Sequence, residues 1–175
     1  MIHHRKPVGA VGLAITAIAA ASIAVPAVAT PTVGTWLPEP ISVGSFDDLT
    51  LMAEKTGKWD IMVRAKGVTT LRVTKVPFAV GTSSGWHTHP GPNLLTVKSG
   101  TVVVYDSSNP ICSGTAYTAG QTFTDIGGSS HSHLVRNEDP SVAAVVIAVA
   151  LYPYGVTPIT DSSPPKPNNC GATIL

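Results

Sequence analysis

Two H-x-H pairs are the feature of this sequence best suited to chemistry. His87 and His89 form one pair, and His131 and His133 form the other. In a β-strand, residues i and i+2 project from the same face, so each pair can direct two imidazoles at one point. Two distant strands can therefore bring three neutral imidazoles together. Such a set binds a divalent transition metal and leaves coordination positions open.

The histidines also have plainer interpretations. They could be surface residues, hydrogen-bonded core residues, or an adventitious metal site on the surface. The small and apolar neighbours Gly85, Trp86, Leu94 and Leu134 speak against a fully solvated face. We also find no G-x-S-x-G motif, P-loop or paired carboxylates, so the sequence favours metal chemistry over the reactions that those motifs indicate.

The strands that must position these histidines are marked by alternating or β-branched apolar runs between glycine and proline. A late run over 142–152 is apolar throughout, which is typical of a strand buried on both faces. Short strands at this spacing predict an all-β sandwich or barrel. The predicted strands cover residues 59–65, 68–76, 94–97, 101–105, 121–126, 131–136 and 142–152.

One short N-terminal helix is predicted ahead of these strands, over Phe46 to Lys55, with Ser45 or Asp47 as its cap. The expected organisation is a signal peptide (1–29), a leader with this helix (30–58), a β-barrel domain (59–155) and a Pro-rich C-terminal tail (156–175).

The N-terminus resembles a secretory signal. A basic head precedes an apolar run from Val8 to Val25, and the small-x-small site Ala27 to Ala29 follows Pro26. Cleavage after Ala29 predicts a secreted or cell-envelope protein with no stable membrane span. The alternative is an uncleaved membrane anchor, because the run is about long enough to cross a bilayer.

The charge and the cysteine content limit the classes of partner and the cellular compartment that we expect. Without Arg5 and Lys6, nine basic residues face ten acidic ones, and no basic cluster marks a nucleic-acid partner. In an oxidising exterior, Cys112 and Cys170 predict a disulfide that ties the tail to the turn near Pro110. The alternatives are two free thiols or an intermolecular bridge.

The spacing of these residues resembles the cupin family. Gly81-x5-His87-x-His89-x3-Asn93-x6-Gly100 matches the first cupin motif at every position except Asn93, where the motif has glutamate. His133-x3-Asn137 resembles the end of the second motif, and residues 117–121 resemble its early part more loosely. This resemblance implies a double-stranded β-helix, the cupin jelly-roll barrel, with a metal ion inside.

The resemblance also implies roles for these residues. His87, His89 and His133 would bind the metal, because His133 has the downstream asparagine at family spacing. Asn93 would line the pocket or support a ligand. His131 is a candidate fourth ligand or catalytic proton carrier, or a residue of the pocket rim. Aromatic residues are candidates for the pocket wall: Trp86, Tyr105, Phe123 and Tyr152.

The function expected from this resemblance is an exported, oxygenase-like metalloenzyme acting on a small organic molecule. Fe(II) is the favoured ion, with Mn, Ni, Cu or Zn as alternatives. A non-catalytic cupin that binds a metal or small ligand is the second interpretation, and a purely structural domain is the third. Pairing through sheets is common in the family and makes a homodimer an option.

Overall fold

The computed structural model describes residues 36–53 and 55–161, and within them the protein is all-β. It contains no helix in these ranges. The strands of the described part are β1 (Glu39–Phe46), β2 (Leu49–Met52), β3 (Met62–Ala65), β4 (Thr69–Phe78), β5 (His87–Thr88), β6 (Asn93–Ser99), β7 (Thr101–Asp106), β8 (Thr115–Thr118), β9 (Thr122–Asp125), β10 (His133–Arg136), β11 (Ala144–Pro153) and β12 (Thr160–Asp161).

Most of these strands form two five-stranded antiparallel sheets. The first sheet has the order β1-β4-β11-β6-β9, and the second has the order β12-β5-β10-β7-β8. Strands β2 and β3 form a separate hairpin. Consecutive strands β6 and β7 belong to different sheets, so the chain winds between two layers. The all-β prediction and the double-stranded β-helix are confirmed.

One apolar core lies between the two sheets. The first sheet contributes Phe78, Leu95 and Val146, and the second contributes Val102 and Val135, all of them buried. Alternate residues of each strand point to this interior, as a pleated strand requires. The core fills part of the space between the sheets, and the remainder is the cavity described below.

The turn between β6 and β7 depends on glycine. Gly100 has φ +73°, and a Cβ there would lie 2.6 Å from the carbonyl oxygen of Ala143. Both the positive φ and the close approach exclude a side chain. The predicted strands 94–97 and 101–105 leave residues 98–100 as their connection, and the turn lies there.

The predicted helix over Phe46 to Lys55 is wrong. Phe46 ends β1, and Leu49–Met52 forms β2, which pairs with β3 in antiparallel register from Leu49↔Ala65 to Met52↔Met62. A helical pattern of ten residues is too short to form without tertiary support. Here the segment pairs with another strand instead.

The barrel is longer than the sequence predicted at both ends. Strand β1 pairs with β4 from Glu39↔Lys75 to Phe46↔Thr69, although the sequence indicated a leader there. Strand β12 pairs with β5 within the predicted tail. Strand β12 has only two residues, and the eight residues of β1 are almost all exposed, so neither shows the apolar alternation of a half-buried strand.

The predicted signal peptide lies outside the described residues. Within the described ranges, no helix has the length and apolar character needed to span a membrane.

Candidate metal centre

The segment before β5 is held against β10 and thereby positions His87. The backbone N–H of Ser84 donates to the carbonyl of Val135 at 2.9 Å, and the Ser84 hydroxyl accepts from the Val135 N–H at 2.9 Å. Ser83 and Arg136 form an isolated bridge beside them. Ser83 and Ser84 are both buried, so this irregular segment extends the sheet as far as the histidine.

Three imidazoles meet at the end of this segment. His87 and His133 are register partners across β5 and β10, and their ring centroids are 4.3 Å apart. His89, two residues along the chain, places its ring 4.8 Å from that of His87 and 5.2 Å from that of His133. One ligand atom from each of the three residues lies within 4.8 Å of the others, so together they could hold a metal ion.

Two of the imidazoles are oriented by backbone carbonyls. His87 Nδ1 lies 2.9 Å from the Gly85 oxygen, and His89 Nδ1 lies 2.8 Å from the Pro158 oxygen. A carbonyl oxygen only accepts, so both Nδ1 atoms carry the proton and both Nε2 atoms keep a free lone pair. Metal-binding histidines are typically oriented in this way.

The third imidazole has an unsatisfied nitrogen. His133 Nδ1 is buried and has no hydrogen-bond partner within the described part of the chain. Burial, together with smaller contributions from the neighbouring His89 and His131, lowers the pKa of His133 to about 3. A buried polar atom without a partner is costly, and a metal ligand is one arrangement that satisfies it.

The other two histidines are also held neutral. Burial lowers the pKa of His87 well below its usual value, with His133 and His89 adding to the effect. Burial likewise lowers the pKa of His89, opposed by the Pro158 carbonyl and by Asp125. Neutral imidazole is the form that binds metal. The free lone pairs, the ring orientations and the neutral form of these imidazoles therefore suit a divalent transition-metal ion.

Asp125 is a part of this site that the sequence analysis missed. It ends β9, only 4% of its surface is exposed, and its carboxylate lies 3.7 Å from His133 Nδ1 and 4.0 Å from His89 Nε2. Its register partner is Asn93, whose amide donates to Asp125 Oδ2 at 3.3 Å. Asn93 is buried and faces the cavity, so it supports the carboxylate.

His131 lies at the edge of the site. Its Nε2 is 3.2 Å from Asp106 Oδ2 and 3.6 Å from Asp125 Oδ1. It precedes β10 and is not among the residues that line the cavity. The structure therefore places it between two carboxylates, with Asp125 linking it to the three imidazoles.

A cavity of about 80 Å³ opens beside the imidazoles. His87 and His89 form one part of its wall, and Phe123 lies in the apolar remainder, as the sequence analysis expected. The apolar wall is contributed by side chains from β4, β6, β9, β10 and β11: Val76, Phe78, Leu95, Phe123, Val135, Val146 and Ala148.

Two polar groups in the cavity wall were not predicted. Trp36 packs against His87 with ring centroids 5.6 Å apart, and its buried Nε1 has no hydrogen-bond partner among the described residues. Arg72 donates from Nε to Thr74 Oγ1 at 3.2 Å, and no carboxylate of the described ranges forms an ion pair with it. Both residues come from segments without a recognisable motif, so no sequence pattern indicated that they line the cavity.

Trp86 and Tyr105 lie elsewhere than predicted. Trp86 and Leu134 each adjoin a ligand histidine in sequence, so their side chains point to the opposite face of the second sheet. There they form a separate cluster with Cys112 and Tyr105. The Tyr105 hydroxyl donates to Glu138 at 2.5 Å. Tyr152 is buried and lines a different depression, with Val68 and Pro92.

Two glycines bring the loops around the site together. Gly127 has φ +72°, and a Cβ there would lie 2.3 Å from the Gly91 oxygen. The next residue, Gly128, donates its N–H to the His89 oxygen at 2.7 Å. The loop after Asp125 is thus fastened to the loop after His89.

Only one of the two cysteines of the predicted disulfide lies within the described residues. Cys112 is buried in the Trp86 cluster with φ +50°, and Cys170 lies outside the described residues. The bridge stays a prediction.

Comparison with known proteins gives structural similarity and no sequence match. No protein-family model matches the chain, and no curated protein matches it. A cupin-like protein from Thermotoga maritima is 20% identical, covering 57% of this chain and 70% of that one with a TM-score of 0.45. A protein with a double-stranded β-helix domain from Klebsiella pneumoniae is 16% identical, covering 67% and 85% with a TM-score of 0.44.

A DMSP lyase from Ruegeria pomeroyi is also similar. It is 16% identical with a TM-score of 0.44, and the match covers 53% of this chain and 43% of the lyase. Similarity at this level concerns the fold and carries no functional conclusion. The solved structures that this chain resembles include cupin-superfamily proteins, as the motif resemblance predicted.

Proposed function

We propose that this protein binds one divalent transition-metal ion through His87, His89 and His133 and uses it to act on a small organic molecule. The observation that carries the proposal is the convergence of three neutral imidazoles within 4.8 Å, two of them buried and the third, His89, half-buried. Two of them have Nε2 lone pairs fixed by backbone carbonyls, and the third has an unsatisfied nitrogen. A hydrogen-bonded core would not leave so many acceptor atoms unused.

Fe(II) is the ion that we propose, with Mn, Ni, Cu and Zn as alternatives. Imidazole nitrogen suits Fe, Zn, Cu and Ni, and a carboxylate beside the imidazoles is typical of non-haem Fe(II) sites with open positions. When bound, such an ion supplies a Lewis acid and a template on which substrate and dioxygen can be oriented. That chemistry supports an oxygenase-like reaction.

The cavity supports a small and largely apolar ligand. Its volume of about 80 Å³ suits a small organic molecule rather than a segment of a polymer. The apolar walls would exclude water from the ligand and strengthen polar interactions within the cavity.

The polar groups of the wall indicate a ligand with hydrogen-bond acceptors. Trp36 Nε1 is a buried donor without a partner in the described ranges, and Arg72 offers a guanidinium to an anion. Arg72, Ala150 and Asn93 are register partners on three adjacent strands. The backbone of Arg72 therefore lies about 10 Å from that of Asn93, from a strand spacing of ~4.8 Å. A carboxylate or carbonyl on the ligand would reach Arg72 from the metal.

One observation favours the alternative of a non-catalytic binding protein. His131 was the candidate proton carrier, yet it faces Asp106 and Asp125 and does not line the cavity. Apart from the metal-site residues, the described cavity wall then offers no general base, since Trp36 and Arg72 only donate. Under this alternative the ion and the cavity would bind a ligand without turnover.

We further propose that the protein acts after export, with cleavage following Ala29. This proposal is supported by the basic head, the apolar run and the small residues of the cleavage site. The N-terminal residue of protein recovered from outside the cell tests it, and an N-terminus upstream of Ala27 would contradict it.

The experiment for the metalloenzyme uses tag-free mature protein reconstituted anaerobically with Fe(II). Dioxygen uptake is measured against a panel of small carboxylates and carbonyl compounds, with products identified by mass spectrometry. We expect uptake with wild-type protein, and none with His87→Ala. Trp36→Phe, which keeps an aromatic ring but removes the donor, should weaken ligand binding and leave metal content unchanged. Equal rates for wild type and His87→Ala would contradict an enzymatic role.

A further inference from the structure

Asp125 presents a carboxylate to the three histidines from a strand that carries none of them. We propose that Asp125 is the fourth protein ligand of the metal ion. The inference rests on the proposed function, because it concerns the same ion. It adds a negatively charged oxygen donor to a site that would otherwise consist of neutral nitrogens alone.

The distances from Asp125 to His133 and His89 agree with shared coordination. Ligand atoms that are each 2.0–2.2 Å from one ion are separated from one another by about 3 to 4.4 Å, depending on the angle at the metal. The carboxylate oxygens of Asp125 lie 3.7 Å from His133 Nδ1 and 4.0 Å from His89 Nε2. Both separations are too long for a hydrogen bond and fall within the range for two ligands of one ion.

Charge gives a second and independent reason. Asp125 is 4% exposed, and no lysine or arginine of the described ranges forms an ion pair with it. Removing an ionised carboxylate from water costs several kcal/mol unless a cation compensates it. His131 Nε2 lies 3.6 Å from Asp125 Oδ1, and it lies nearer to Asp106 Oδ2, at 3.2 Å. A divalent ion would neutralise the carboxylate directly.

The carboxylate is also held in place. Oδ2 accepts from the Asn93 amide at 3.3 Å, and Oδ1 accepts from the Gly127 N–H at 3.1 Å. Each oxygen has two lone pairs, so both hydrogen bonds leave one free for a metal. Partners of this kind orient ligands and hold them at the ion.

Because Asn93 and Asp125 are register partners, a carboxylate on β9 can face the same site as residue 93 of β6. Directly paired residues in adjacent strands share a face and lie about 5 Å apart. A carboxylate at position 93 with an amide at position 125 would keep one of each group in this pair and on this face. The exchange therefore tests whether a carboxylate from this pair serves the ion.

This exchange provides the test. Co(II) affinity of tag-free mature protein is measured by competition with a chromophoric chelator, and the visible absorption of bound Co(II) is recorded. Four proteins are compared: wild type, Asp125→Asn, the exchange variant Asn93→Asp/Asp125→Asn, and Asp106→Asn. Asp106 is the matched control, because it also faces His131 and is the register partner of His133, yet among the described histidines its carboxylate lies within ion-pair distance of His131 alone.

We expect Asp125→Asn to weaken Co(II) binding by about 100-fold or more and to change the absorption spectrum at saturating Co(II). A residue that merely supports a ligand would leave that spectrum unchanged. Asp106→Asn should behave as wild type, and the exchange variant should recover most of the affinity. Circular dichroism establishes that each variant is folded.

Two results would overturn the inference. Co(II) affinity and spectrum of folded Asp125→Asn equal to those of wild type would show that the carboxylate is not a ligand. If Asp125→Asn does not fold, the folded exchange variant is the test, and its failure to bind Co(II) would contradict the inference that a carboxylate of this pair ligates the ion. Failure of wild-type protein to bind any ion would instead contradict the proposed function.

Discussion

His87 and His133 face each other directly across β5 and β10, with ring centroids 4.3 Å apart. Strand β5 has only two residues, so it cannot fix this register alone. The hydrogen bonds between the 81–84 segment and β10 continue the pairing and determine which residue faces His133. The position of the metal centre thus depends on the segment that precedes it.

Asn137 lies directly after β10 and joins the end of that strand to two neighbouring segments of the chain. It is fully buried, and its amide donates to the carbonyls of Phe78, Ala79 and Val142 at 2.9–3.2 Å. We expect Asn137→Ala to lower the free energy of unfolding by about 3 kcal/mol, because buried carbonyls lose their partner. Urea denaturation measures the change. Asn109→Ala, which removes three side-chain hydrogen bonds at an exposed turn, should cost less than half as much, and equal costs would contradict this account.

Gly127 is predicted to be essential to the geometry of the site. Gly127→Ala should destabilise the protein and weaken Co(II) binding, because the new Cβ would lie 2.3 Å from the Gly91 oxygen. Gly120→Ala is the matched control, with φ +86° and open space around the Cβ position. It should cost about 1–2 kcal/mol for the backbone conformation alone and leave metal affinity unchanged. Thermal denaturation and chelator competition measure both effects, and equal behaviour of the two variants would contradict a role for the close approach.

The metal-free protein should lose stability as pH falls below 6.5. The pKa of each of the three histidines is lowered in the folded state, so the unfolded chain binds more protons in this range. The stability that these neutral imidazoles contribute is therefore fully present above the unfolded pKa of about 6.5. It declines as the pH falls toward the folded pKa values, and the folded pKa of His133 is about 3. The expected slope is about 1.4 kcal/mol per pH unit for each imidazole that stays neutral.

Urea denaturation between pH 7 and pH 5 measures this slope, because ordinary carboxyl groups remain mostly ionised there. His133→Asn removes one titrating group and should reduce the slope by about 1.4 kcal/mol per pH unit, which corresponds to one proton. A wild-type stability that does not change between pH 7 and pH 5 would show that the imidazoles are not buried in neutral form.

The predicted bridge between Cys112 and Cys170 should stabilise the protein without affecting the metal. Cys112→Ala is expected to cost about 2–5 kcal/mol, as removal of a native disulfide in a small exported domain typically does. Cys170→Ala should cost the same, and the double variant no more than either single one. Thiol titration of denatured, unreduced protein checks the bridge directly, and two reactive thiols per chain would exclude it.

The three histidines were predictable because their arrangement follows from strand geometry. The i, i+2 spacing of His87 and His89 requires one shared face, and His133 contributes from a distant strand as expected. The same alternation explains why Trp86 does not line the cavity, since it directly precedes His87. Asp125 could not be predicted in this way, because its position depends on the β6–β9 register, which no local pattern specifies.

The wrong predictions of secondary structure concern the edge strands of the two sheets and the β2–β3 hairpin. Residues 46–55 contain an acidic start and apolar residues that suit a helix, yet pairing with β3 outweighs this local preference. Strand β1 carries Pro40 and exposed residues such as Ile41, so its sequence does not alternate as an interior strand would. Trp36, which contacts His87, precedes this strand and was missed together with it.

Metal content of tag-free protein isolated from its native source is the most direct test of the central claim. Elemental analysis should find close to one divalent transition-metal ion per chain in wild-type protein, and close to none in folded His89→Ala. A wild-type protein that carries no ion and takes up none on dialysis against Fe(II), Mn(II) or Zn(II) would contradict the claim. So would a His89→Ala protein that retains a full equivalent.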